Sequence, residues 1–304
     1  MTHETCTHED TTVVGVDGSA HSRSAIKWAA AYAAASSSTL VLVHAGVNPQ
    51  VSLSDAVNLR HGRASRALAH ARSTLATARV VAQSVAGDDV HIETLLEAAL
   101  PADALIEHAR HARLLVLGKH DQGKVARALL GSVSSKVASR ARCPIAIVPE
   151  NNSSTGFEDG TTTVVVGIDQ TSDDDSVLAT AFDQADRLHA RLHAVHALQK
   201  STRSAEYPIP DEHTHALDPR APAQRWLDGR VAAWEEKYPA VTVTASVIEG
   251  KPSDAVLGCA RHAQLIVVGA RSRGSVEPVF VGSTSRAVLH HTAIPTLIVP
   301  AARR

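Results

Sequence analysis

Aromatic side chains are scarce, at 3% of the 304 residues. A core without them must be assembled from Ala, Val, Leu and Ile, whose small volumes suit helices packed closely against a sheet. Cysteine is scarcer still. Cys6, Cys143 and Cys259 are scattered and odd in number, with no CxxC pair, which excludes a disulfide framework and fits a reducing cytoplasm. Cys143 precedes an apolar run and reads as core. No apolar run approaches the ~20 residues of a membrane helix, and residues 1–12 are polar and acidic, without the apolar stretch of a signal peptide. The formal charge of -1 lacks the excess expected of a dedicated nucleic-acid binder. Catalytic signatures are missing as well: the chain has no SGGxDS loop, no HIGH or KMSKS, and no GxSxG elbow. Eighteen histidines are present, yet His108 with His111, His193 with His196, and His290-His291 stand without a cysteine or acidic partner at a diagnostic metal spacing. Neither catalysis nor metal binding is expected.

What the chain does have is order. Apolar strand-like runs alternate with helical stretches: Thr12–Asp17, Ala20–Ser36, Thr39–Ala45, Asn58–Val85 (basic and alanine-rich), Val90–Leu96, a helix opened by Pro101, Leu114–Leu117, Ser132–Arg142, and Pro144–Pro149. Alternation of this kind, with strands buried on both faces, predicts an α/β domain with a parallel sheet. Residues 150–163, ENNSSTGFEDGTTT, lose all apolar periodicity and read as a linker. After it the pattern begins again. Asp17 and Ala45 recur as Asp169 and Ala197, 152 positions on; Pro101, Gly118, Gly131, Pro144 and Pro149 recur as Pro252, Gly269, Gly282, Pro295 and Pro300, 151 on. One residue of drift marks a tandem duplication, with domains at 1–149 and 164–304. The halves differ most over residues 199–222, where four prolines fall in a loop-like stretch.

The stretch Leu114–Ser134 joins an apolar strand, a glycine exit, a polar basic loop and a Gly-Ser helix start, and Leu265–Ser285 repeats it. Gly131 stands thirteen positions beyond Gly118, as Gly282 does beyond Gly269. Glycines let backbone approach an anion, and a helix N-terminus offers free N–H groups and a positive dipole end. Ser132 and Ser283 also read as helix N-caps. Lys119, Lys124 and Arg127 beside one loop, and Arg271 and Arg273 beside the other, are candidate phosphate contacts. Ligands of parallel α/β sheets bind beyond the carboxyl ends of the strands. Asp17, Ala45 and Gly118 all fall there, as do Asp169, Ala197 and Gly269.

These residues resemble the universal stress protein family. Val13–Ser19 (VVGVDGS) matches the family's opening strand and turn closely, and Val165–Thr171 (VVGIDQT) less closely. VHA ends both second strands, and RCPIAIVP and AIPTLIVP resemble the family's last strand. WEEKYP and the overall length resemble the tandem actinobacterial members. The resemblance implies two tandem, doubly wound, Rossmann-like parallel five-stranded sheets related by a pseudo-twofold axis, paired through their final strands. It also implies ATP, with Mg²⁺ as an admitted companion, as a regulatory ligand in a cytoplasmic stress or dormancy response. Gly15, Asp17 and Ala45 would line adenine and ribose, and Gly118, Lys119, Gly131, Ser132, Val133 and Ser134 the ribose and phosphates. The second-half set is Gly167, Asp169, Ala197, Gly269, Arg271, Gly282, Ser283, Thr284 and Ser285. A homodimer and a downstream protein partner of open identity complete the expectation. The alternatives are an interaction module that has lost nucleotide and, more remotely, a slow ATPase. Asp121 and Ser272 stand where the ATP-binding branch carries its middle glycine. Because Asp121 brings negative charge and Ser272 none, tighter metal-free binding is expected in the second half.

Overall fold

The computed structural model describes residues 10–46, 61–119, 131–152, 157, 162–170, 174–198, 220–270 and 281–301. The first half runs β1 (Thr11–Gly15), α1 (Ala20–Ala35), β2 (Thr39–Ala45), α2 (His61–Ala86), β3 (Ile92–Glu97), α3 (Pro101–His108), β4 (Leu114–Gly118), α4 (Ser132–Arg140) and β5 (Ile145–Val148). The second repeats it as β6 (Thr163–Ile168), α5 (Asp174–Arg187), β7 (Arg191–Leu198), α6 (Arg220–Glu235), β8 (Val243–Glu249), α7 (Pro252–Cys259), β9 (Leu265–Gly269), α8 (Ser283–His291) and β10 (Thr296–Val299). β6 thus begins one residue before the boundary suggested by the sequence.

Within each half the strands are parallel, in the order β3-β2-β1-β4-β5 and its repeat β8-β7-β6-β9-β10. The halves join in a single ten-stranded sheet. β5 and β10 pair antiparallel, with Ala146 opposite Leu297 and Ile145 opposite Ile298. Both strands are buried along their whole length. Left unpaired, such apolar edges would recruit other chains, so the seam satisfies each half with the other.

Alternation along the strands sorts the core. Val14, Leu40, Leu42, Leu114 and Val116 point into a cluster shared with α1, α2, α5 and α6, which runs continuously across both halves. Val13, Val41, Val43, Leu115 and Leu117 point the other way, under α3 and α4. The few aromatics concentrate in the shared cluster. Trp28 and Tyr32 stack at 5.3 Å, and Phe157 from the connecting segment meets both edge-on. A charged network also spans the seam: Arg113 bonds Asp10 and Asp183, and Arg187 bonds the same two carboxylates.

The local signals work as physics requires. Ser19 caps α1 by accepting the Ser22 N–H at 3.1 Å, and Pro101 and Pro252 open α3 and α7 at the first turn. The N-cap expectation for Ser132 and Ser283 needs correction. Gly131 and Gly282 are the caps, with no side-chain cap bond, and each serine is the first helical residue.

Candidate functional site

Each half places its repeated residues around a cavity at the carboxyl ends of its strands. In the first half β1 stops at Gly15, earlier than the Asp17 expected, so Asp17 stands in the turn. Its Oδ1 accepts the Ser19 N–H at 2.9 Å, while Gly18 turns the chain with φ 83°. Gly15, Asp17, Ala45 and Gly118 line one wall of the cavity, and Gly131, Ser132, Val133 and Ser134 line the other. Lys119 does not join them. Its side chain is buried at 9% exposure and its ammonium lies 3.4 Å from the Thr292 carbonyl, at the end of α8 in the other half. The site also contains residues that motif reading passed over: His21, Ser22, Val43, Pro101, Leu105 and Leu117. His21 lies 3.1 Å from the Glu150 carboxylate through Nδ1.

In the second half Gly167, Asp169, Ala197, Gly269, Gly282, Thr284 and Ser285 line the corresponding cavity. Ser283 is exposed and lies outside that lining. Asp121, Lys124, Arg127, Arg271, Ser272 and Arg273 fall outside the described residues.

A repeated latch holds both turns. His44 Nδ1 lies 2.7 Å from the Val16 carbonyl, and His196 Nδ1 lies 2.9 Å from the Ile168 carbonyl. The two pairs are related by 152 positions. An N–H at Nδ1 ties the second strand to the residue just before each aspartate. The VHA repeat was visible in the sequence; the signal overlooked was that its histidine recurs with the aspartate it steadies.

The glycines have a packing cause. A Cβ on Gly15 would come within 2.9 Å of Leu117 Cδ2, and one on Gly118 within 2.5 Å of the His21 carbonyl oxygen. The close approach of the first turn of α1 therefore requires glycine at Gly118. In the second half the pressure is lighter at Gly269, whose nearest neighbour would be Val177 Cγ2 at 3.3 Å.

The two cavities differ in size and in free donors. The first has a volume of about 400 Å³ and the second about 80 Å³. Small-molecule sites usually run roughly 300–1,000 Å³, so only the first reaches that range. Val177 and Val256 stand in the second cavity where Ala25 and Leu105 occupy the matching positions of the first half. The Gly282 N–H donates to the Ala270 carbonyl at 2.7 Å, and Ser285 Oγ donates to the Gly269 carbonyl at 2.5 Å. Ser134, the counterpart of Ser285, makes no such bond among the described residues. Asp169 Oδ1 is buried without a partner, a condition costing about 1–3 kcal/mol unless a donor arrives.

Burial pushes the Cys143 thiol up to about 12, which makes it unreactive. No group of histidine, cysteine and acidic side chains among the described residues is arranged to hold a metal, and no described helix is long and apolar enough to cross a membrane.

Two α/β halves fused through their last strands, each opening a pocket beyond its strand ends, define a tandem, two-pocket α/β protein. The universal stress protein family matches the chain twice, over residues 10–149 and 160–300. This chain belongs to that family. It is 33% identical over 288 residues to universal stress protein Rv2005c of Mycobacterium tuberculosis, covering 94% of this chain and 95% of the relative. It is also 33% identical over 290 residues to universal stress protein Rv2623 of the same organism, with 94% and 95% covered. Among solved structures, a universal stress protein from Archaeoglobus fulgidus superposes with a TM-score of 0.67 at 17% identity, covering 97% of this chain and 99% of that one. At that identity the likeness is one of fold.

Proposed function

We propose that the protein is a cytoplasmic regulator that holds one adenine nucleotide, ATP with or without Mg²⁺, in its first-half cavity. The observation that carries this reading is the cavity of about 400 Å³ bounded by Asp17 and the Gly131–Ser134 helix start. The first turn of α4 supplies unpaired N–H groups and a positive dipole end for phosphate. The Ser134 hydroxyl adds a donor, and the apolar Val43, Leu105 and Leu117 suit a base. Asp17 is the carboxylate of this lining that would meet a ribose hydroxyl or a Mg²⁺ ion held by the phosphates. In this reading the nucleotide acts as a ligand rather than a substrate. Its occupancy would steady the Asp17 turn and α4, and so alter what a downstream partner or a second copy of the chain meets.

The second half favours a different reading of itself: with the Gly282 N–H and the Ser285 hydroxyl spent internally, it serves as a scaffold. Mass spectrometry of nucleotide released from the heat-denatured protein, with calorimetric titration of the stripped chain, tests both. One adenine nucleotide per chain is the expected result. No release and no binding would leave the interaction module as the function.

A further inference from the structure

A second cavity, of about 270 Å³, lies on the other side of the Asp17 turn, between α1 and α2. Its floor is apolar, formed by Ile26, Ala78 and Val81. Its rim carries Arg23, His70, Ser73, Thr74 and Thr77. None of these five side chains makes a hydrogen bond or ion pair to a described residue. Helical hydroxyls elsewhere in the chain do bond back to the preceding turn, as Ser84 does to Val81 and Thr180 to Ser176. The rim is thus a set of uncommitted donors around one guanidinium.

The second half shows what normally fills this place. Ala71 and Leu75 of α2 match Ala223 and Leu227 of α6, 152 positions on and equally buried. The same register sets Thr74 against Trp226 and Ala78 against Arg230, and Arg23 of α1 against Asp175 of α5. In the second half Arg230 Nη2 closes on Asp175 Oδ1 at 2.6 Å, and the Trp226 ring packs against His196 at 4.9 Å. In the first half both large side chains are truncated and the acid has become a base. α2 offers that base no partner, since it contains neither aspartate nor glutamate from His61 to Ala86.

We infer that this groove binds a small phosphomonoester, with its phosphate on Arg23 and a hydroxylated body against Ser73, Thr74 and Thr77. A guanidinium fork matches phosphate oxygens bidentately, and the hydroxyls both donate and accept. Among the described lining residues the only carboxylate is Asp17, whose Oδ1 is held by the Ser19 N–H. Val16, Asp17, Ser19 and Ser22 line this groove and the larger cavity alike. A ligand here therefore shares a wall with the proposed nucleotide site without occupying it, and the groove stands whether or not that site is filled.

The test is a titration of the full-length protein with glycerol 3-phosphate, read by amide chemical shifts of Ser73 and Thr77, with and without saturating ATP. Saturable shifts that persist with ATP, and that glycerol alone does not produce, are expected. Arg23 is exposed, so Arg23→Gln should leave the fold intact and weaken binding at least tenfold, while Arg23→Lys retains part of it. Grafting the second half's ion pair as Arg23→Asp with Ala78→Arg should abolish binding. Three results would overturn the inference: no saturation up to roughly 10 mM, a range that already spans very weak affinities; equal binding by Arg23→Gln; or displacement by ATP, which would put the anion in the neighbouring cavity.

Discussion

The two halves share strand order, helix starts and a histidine latch, yet one encloses about 400 Å³ beyond its strands and the other about 80 Å³. The difference comes from a few exchanges that leave the framework alone. Val177 replaces Ala25, and the backbone and hydroxyl donors that remain open around Ser134 are spent within the second half on Ala270 and Gly269. A pocket can thus be closed without any change of fold, by a larger side chain and two hydrogen bonds. On the face between the first two helices of each half, Trp226 and Arg230 stand at the positions of Thr74 and Ala78.

The largest expected effect breaks the comparison directly. Gly131→Val puts a branched side chain where phosphate would sit and should lower ATP affinity about a hundredfold, or ~2.7 kcal/mol. Gly282→Val should leave both affinity and a stoichiometry of one unchanged in calorimetric titration. A halved stoichiometry in each variant would mean that both cavities fill.

The next effect is electrostatic and belongs to the first half alone. Tyr32 is fully buried, and burial raises its hydroxyl from 10.0 to about 12; its counterpart Gln184 cannot ionise. A folded-state value above the unfolded one means that the contribution is intact below about pH 10 and is lost as pH rises toward about 12. At about 1.4 kcal/mol per unit the loss reaches about 2 kcal/mol by pH ~12. Urea unfolding should show Tyr32→Phe overtaking the parent chain above about pH 10, and parallel curves for the two proteins would contradict the assignment.

Smaller still is the contrast at the strand exits. Gly118→Ala drives a Cβ into the His21 backbone and should cost about 1–3 kcal/mol. Gly269→Ala meets only the Val177 methyl at 3.3 Å, and should cost less than ~1 kcal/mol. Equal urea midpoints for the two variants would show that the first turn of α1 yields freely. At the lower end, Lys119→Met removes the ammonium's bond to the Thr292 carbonyl and should lower the stability of the whole chain by about 1 kcal/mol. Its counterpart, Ala270, has no such bond to lose.

Much of this was legible in the sequence because it depends on local rules. The strands came from apolar runs, α3 and α7 from their prolines, and the duplication from paired landmarks such as Gly118 and Gly269. All eight first-half site residues other than Lys119 line one cavity. Lys119 was misplaced because adjacency to a loop says nothing about which way a long side chain turns, and here the seam offers it a helix end. The expected advantage of the second half rested on charge alone, from Asp121 and Ser272 outside the described residues. Side-chain volume, which decides the cavities, depends on which residues face one another across helices. That information appears in three dimensions and not in motif spacing. At Gly15 and Gly118 the repeated glycines also answer a packing demand that motif spacing does not reveal.

The antiparallel seam between β5 and β10 has a consequence for change over time. In a symmetric dimer of single domains every substitution appears on both sides of the axis at once, so a side chain that shuts one pocket shuts its twin. Here both partners of the seam lie on one polypeptide, and each position is encoded separately. Val177 can stand opposite an unaltered Ala25, and Arg230 opposite Ala78, with the shared sheet indifferent to either. Fusion in a single chain releases the two sites from mirror obligation, leaving one free to specialise as a receptor while the other becomes its permanent counterweight.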